Sequence, residues 1–125
     1  MRNVRKFAAT CINCTEEDDV LTIGVGDDDY DPKNFIIIGR FDEDELPVNE
    51  CIGFQSESTE YELTDSIRSV QLTDHKLVIV LNDDAAKKIG ISEYHVDIPE
   101  AKDSNSLARY LREMFDGSDV PLQLP

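Results

Sequence analysis

A chain of 125 residues with 27 acidic and 12 basic side chains carries a formal net charge of −15, so its surface repels phosphate backbones and anionic headgroups. Nucleic acid and membrane are thereby excluded as ligands, and a basic protein is favoured as a partner. The 40% hydrophobic content falls in short runs, enough for one globular domain spanning 1–125 with a core of its own.

From Arg5 to Cys14 the residues alternate, with Phe7, Ala9 and Cys11 on one face and Ala8, Thr10, Ile12 and Cys14 on the other, the period of a first strand. Thr15 to Asp19 is a polar turn, and Val20 to Val25 resumes the alternation, so the two form a hairpin. Gly24 and Gly26 end the second strand, where a backbone without Cβ bends into the loop Asp27 to Asn34, in which Pro32 holds Asp31 extended. Phe35 to Ile38 is apolar at every position, which predicts a strand covered on both faces near the middle of the sheet. Phe41 to Glu50 returns to acid, Cys51 to Phe54 reads as a weak strand, and Tyr61 to Thr64 is a short segment whose pairing the pattern leaves open.

Ile67 to Leu72 and Leu77 to Leu81, joined by Thr73 to Lys76, form the clearest hairpin. Asn82 caps a short helix over 83–89 that begins with Asp83 and Asp84, ends with Lys87 and Lys88 and stops at Gly90. Tyr94, Val96 and Ile98 alternate with His95 and Asp97 up to Pro99, a strand with one wet face. Leu107, Tyr110, Leu111, Met114 and Phe115 share one face of a helix over 104–116 that packs on the sheet. Residues 118–125 lack a pattern and are expected to be loosely held. Strands first and the long helix last, with short connections, give an α+β fold on a mostly antiparallel sheet.

Three groupings invite a chemical reading. Asp27, Asp29 and Asp31 imitate the first ligands of a calcium loop, but Pro32 and Ile38 stand where that loop needs Gly and a bidentate acid. A calcium-dependent or other acidic interaction module is therefore the alternative, not the leading reading. Cys11-Ile12-Asn13-Cys14 has zinc or redox spacing, yet within a strand the two side chains point to opposite faces, and Cys51, His75 and His95 complete no local set. His95 and Asp97 share a strand face, but no nucleophile elbow or phosphate loop accompanies them, so His95 reads as an exposed polar position beside an acid and the chain as no enzyme. No metal and no cofactor are expected. With three cysteines, an odd number, no apolar h-region after the basic segment Met1 to Phe7 and no run of about 18 apolar residues, a cytoplasmic location is expected.

Asp19 to Arg40, in which Gly-Val-Gly-Asp-Asp-Asp-Tyr-Asp-Pro-Lys-Asn leads into Phe-Ile-Ile-Ile-Gly-Arg, resembles the immunity protein 10 family: an acidic Asp-Pro-x-Asn-type loop entering an aliphatic strand that ends on a basic residue. The likeness extends more faintly through Ile67 to Leu81, Asn82 to Ala86, Ile89-Gly90 and the last helix, while the cysteine pair and Phe41 to Tyr61 lie outside it. The resemblance implies a cytoplasmic immunity protein of a bacterial polymorphic toxin system, binding a cognate toxin domain without catalysis. With a basic toxin as partner, Asp27, Asp28, Asp29, Asp31 and Asn34 are the expected loop contacts and Tyr30 the aromatic anchor. Asp42, Glu43, Asp44 and Glu45 are expected to extend the same acidic face.

Overall fold

The alternating run from Arg5 to Cys14 is two strands, not one. In the computed structural model, which describes residues 3–125, β1 (Val4–Ala8) and β2 (Cys11–Glu17) lie in different sheets. The change of sheet takes two residues: the Ala9 amide donates to the Asp97 carbonyl (2.9 Å) and the Thr10 amide to the Gly26 carbonyl (2.8 Å). Because the period of two runs on through the crossing, periodicity carries no mark of it.

Sheet one has the order β1-β9-β8-β7-β10, built from β7 (Ile67–Leu72), β8 (Lys76–Leu81), β9 (Glu93–Asp97) and β10 (Leu122–Gln123). Its middle is antiparallel, and its two edges are parallel pairings, β1 on β9 and β10 on β7. Sheet two is an antiparallel meander, β2-β3-β4-β5-β6, with β3 (Val20–Gly26), β4 (Phe35–Phe41), β5 (Ile52–Ser56) and β6 (Leu63–Thr64). The fold is α+β as the pattern predicts, with two sheets in place of one.

The inner faces meet at a few large side chains. Tyr94 of β9, fully buried, sets its ring against Phe54 of β5 (centroids 5.4 Å apart), and its hydroxyl is 2.6 Å from Ser56 Oγ. A buried phenol needs such a partner, since an unpaired one costs its full desolvation. Around this pair Ile23, Ile36, Ile38, Leu72, Leu77 and Ile79 are all essentially inaccessible.

Helix α1 (Asp83–Ile89) is capped as expected: Asn82 Oδ1 accepts from the Ala85 amide, and Gly90 ends it at φ 77°. Helix α2 is Ala101–Met114, three residues earlier than the apolar stripe suggests. Ser104 is not at its start but inside it, fully buried, donating its hydroxyl to the Asp74 carbonyl in the β7–β8 turn. Leu107, Ala108, Leu111 and Met114 are buried, and the helix packs against β2 and β3. No helix among the described residues is long and apolar enough to cross a membrane.

Two further expectations are corrected. Phe35 to Ile38 does occupy the middle strand of its sheet, but only Ile36 and Ile38 are buried, while Phe35 and Ile37 on the other face are half-exposed. The tail after Gly117 is not loose. Val70 N donates to the Pro121 carbonyl (3.1 Å), Asp119 N donates to Asn49 Oδ1 (3.0 Å), and Val120, Leu122 and Leu124 rest on the core. Its apolar residues fall at every second position, over a stretch too short to separate from chance.

Arg40 links the elements. Its Nη1 donates to the carbonyls of Glu113 (3.0 Å), Met114 (3.1 Å) and Asp116 (2.7 Å), and its Nε to Asp42 Oδ1 (2.7 Å), with the side chain 14% exposed. A guanidinium at the carbonyl end of a helix satisfies acceptors that have no helical partner and opposes the negative end of the dipole. Arg40→Ala is expected to lower unfolding free energy by about 2–3 kcal/mol in urea titration, and Arg40→Lys, which keeps the charge but not the fork, by roughly half as much. A chain ended at Gly117 should lose about 2–4 kcal/mol, from three half-buried aliphatic side chains, in the same measurement.

Candidate functional site

The loop between β3 and β4 is shaped by one of its own acids. Asp27 Oδ1 accepts from the amides of Lys33 (2.9 Å) and Asn34 (3.3 Å), Oδ2 accepts from Asn34 Nδ2 (3.0 Å), and the Asp27 amide donates to the Asn34 carbonyl (3.1 Å). The Asn34 side-chain bond, with help from the backbone amides, holds the Asp27 carboxyl below the usual range. Asn34 Oδ1 in turn accepts from Arg5 Nη1 (3.3 Å), which also reaches Glu57 Oε1 (3.3 Å). Asp27 and Asn34 are thus committed to the frame of the loop.

The other acids of the loop face solvent. Asp28 Oδ1 accepts from the Tyr30 amide (2.9 Å), a local turn that any short acid favours. Asp28, Asp29 and Asp31 are exposed, and Tyr30 is 96% exposed, the most solvent-facing large hydrophobic side chain among the described residues.

Asp42, Glu43, Asp44 and Glu45 are also exposed, but they follow β4 and so lie at the far end of a seven-residue strand, about 20 Å from the Asp27 loop. Beside them is the Asp18–Asp19 turn, because Val20 pairs with both Glu17 and Phe41. Both turn residues have positive φ (53° and 65°), which makes a two-residue hairpin turn that Asp tolerates. Reading Thr15 to Asp19 as one loop obscured this second acidic tip.

The topology also sorts the charges. Residues 11–66, which run from β2 past β6, hold 17 of the 27 acidic residues and 2 of the 12 basic ones. The whole excess of −15 belongs to the half of the chain that builds sheet two; the remainder, with 10 of each sign, balances. Of those two basic residues, Arg40 is spent on α2, and Lys33 is in the loop.

On the outer face of sheet two the pairing sets Gly26 beside Phe35, Gly24 beside Ile37, Thr22 beside Gly39 and Val20 beside Phe41. Phe41 is 51% exposed. The face is low at its glycines, with Phe35, Ile37 and Phe41 along β4, Asn13, Thr22 and Gln55 beside them, the Glu62 side chain over Gly53, and acid in the turns at both strand ends.

The remaining candidates are dispersed. Cys14 packs inward, where burial pushes its thiol up to about 11; Cys11 lies on the opposite face, its thiol raised by the neighbouring Asp29 carboxylate. Both are protonated at neutral pH, unlike a metal-binding or nucleophilic thiolate. Cys51 precedes β5, His75 sits in the β7–β8 turn and His95 on β9, and no group of three or more His, Cys, Asp or Glu side chains among the described residues is arranged around a common point. His95 is half-buried, not exposed as the alternation suggests, and its Nε2 lies 3.0 Å from Glu93 Oε1. Asp97 is exposed. Two residues along a strand return to the same face, so the acid on either side of His95 was equally eligible.

A family model described as immunity protein 10 matches residues 7–104, most of the chain, and the chain belongs to that family. Its role is that of an immunity protein, and the family implies a toxin protein as partner. The match takes in β2 to β9 and ends inside α2. No curated protein and no solved structure matches the chain.

Because the Asp27 carboxyl is depressed in the fold, the order it gives the loop is complete above about pH 4, the value of a free carboxyl, and is lost as pH falls through the lowered value. Amide exchange at Lys33 and Asn34 should rise across that window, and Asp27→Ala should show the fast exchange at neutral pH.

Proposed function

We propose that the protein neutralises a cognate toxin domain of a bacterial polymorphic toxin system by binding it in the cytoplasm, without catalysis, through the acidic surface of sheet two. The observation that carries this reading is the partition of charge: one half of the chain holds the entire net charge of −15. A charge excess needed only for solubility has no reason to be confined to one sheet, whereas a field concentrated on one face steers a basic partner onto it. Where the toxin acts on nucleic acid, its own basic cleft is the complementary surface, and the acidic face competes with the phosphate backbone.

Within this surface the residues divide by what their side chains have free. Asp28, Asp29 and Asp31 at one end of β4, with Asp42, Glu43, Asp44 and Glu45 at the other, supply the field and rim contacts. Asp27 and Asn34 hold the loop in shape. Tyr30 is the anchor, an aromatic side chain with almost its whole surface available for burial.

Replacing Asp28, Asp29 and Asp31 together by Asn should slow association with the toxin domain about tenfold at low salt and flatten its dependence on ionic strength, with dissociation little changed. Tyr30→Ala should instead speed dissociation. Stopped-flow mixing with a catalytically inactivated toxin domain reads both rates, and unchanged association in the triple variant would remove the acidic loop from the interface.

A further inference from the structure

Four strand glycines lie on the outer face of sheet two, and they are not equivalent. At Gly53 an added Cβ would run into the Glu62 side chain, and at Gly26 it would meet Pro32 (3.4 Å) and Phe35 (3.5 Å). The packing of the chain itself accounts for both. At Gly24 the nearest atom is the Asn13 carbonyl oxygen at 3.6 Å, and at Gly39 the nearest are the Leu21 carbonyl oxygen at 3.9 Å and Glu62 Oε2 at 4.0 Å. All are ordinary contacts. Neither residue has positive φ, which among the glycines is confined to Gly90 and Gly117. Glycine weakens a strand through its backbone entropy, and a glycine kept in a strand marks a bulge or the close approach of something from outside. The register from β3 to β5 runs without a bulge, which leaves close approach.

We infer that the floor formed by Gly24 and Gly39, beside Ile37 and Phe41, is the central contact of the interface, where an apolar segment of a cationic protein lies directly on the backbone of β3 and β4. The inference rests on the proposed toxin-binding reading and locates its centre. Charge selects the occupant. The face is bounded by Asp28, Asp29 and Asp31 at one end, with Lys33 as the single cation of that loop, and by Asp18, Asp19 and Asp42 to Glu45 at the other, and none of the strands β2 to β6 presents a basic side chain on it, since Arg40 faces α2. A second copy of this chain would bring like charge against like, whereas a basic protein surface with a projecting apolar segment matches both the rim and the floor.

The test uses the full chain and a catalytically inactivated cognate toxin domain. Gly24→Val and Gly39→Val should each weaken binding about tenfold or more, as a filled contact centre does, with urea midpoints equal to or above the parent's. Val78→Thr, on the outer face of sheet one, should leave affinity unchanged. If the parent binds and both valine variants bind equally well, this inference fails and the proposed function stands; if the parent does not bind, the proposed function itself fails. A loss of stability in the valine variants would overturn the inference by showing that the fold uses the glycines. So would a parent dimer that Gly24→Val dissociates while toxin binding persists.

Discussion

The structure depends on the register of Tyr94. Its ring closes one sheet over the other against Phe54, and its hydroxyl is satisfied where Ser56 comes to the same depth on the opposing strand. A slip of one residue in β9 would turn Tyr94 to solvent and put His95 in the core. The same register pairs Tyr94 with Arg5 on β1, and from there Arg5 reaches Glu57 beyond β5 and Asn34 in the acidic loop. Core closure and the shape of the exposed loop are therefore one mechanical system: the buried pair sets β9, β9 sets β1, and β1 carries the cation that fixes Asn34.

What was legible in the sequence follows from how local each signal is. The β7–β8 hairpin and the capped helix after Asn82 are specified by neighbours in the chain and stand as read, while the pairing of β2 with β3 stands with its turn shortened from Thr15–Asp19 to Asp18–Asp19. The crossing at Ala9 and Thr10 is specified by Asp97 and Gly26, far away in sequence, and nothing in the alternation marks it. Arg40 shows the same limit from the functional side. As the basic residue ending an aliphatic strand it was visible in the motif, but its acceptors belong to the end of α2, more than seventy residues on. The parallel edge strand β10 depends likewise on β7, and two residues of pairing leave almost no pattern.

The acidic run that dominates the sequence resolves into side chains with different duties. Composition alone treats Asp27, Asp28, Asp29 and Asp31 alike, as field and as rim. The hydrogen bonds separate them, because a carboxylate that accepts three donors has little left for a partner, and one that accepts a single local amide keeps most of its charge exposed. The same distinction applies across β4. Asp42 shares its charge with Arg40, while among the described residues no cation pairs with Glu43, Asp44 or Glu45.

Charge by itself gives a protein reach without giving it a place to grip. Exposed carboxylates accelerate encounter and exclude wrong partners, but they are screened within a Debye length and hold little once contact is made. A durable complex needs a dry centre inside that polar rim. On the proposed toxin-binding reading the outer face of sheet two combines the two along one strand: the loop before β4 carries Asp28, Asp29 and Asp31, Asp42 to Glu45 follow it, and between them Phe35, Ile37 and Phe41 stand on the side that the core does not use. On that same reading the arrangement accounts for an apolar run whose second face is left uncovered, because a strand buried on both sides would give the protein a more stable middle and no surface to offer.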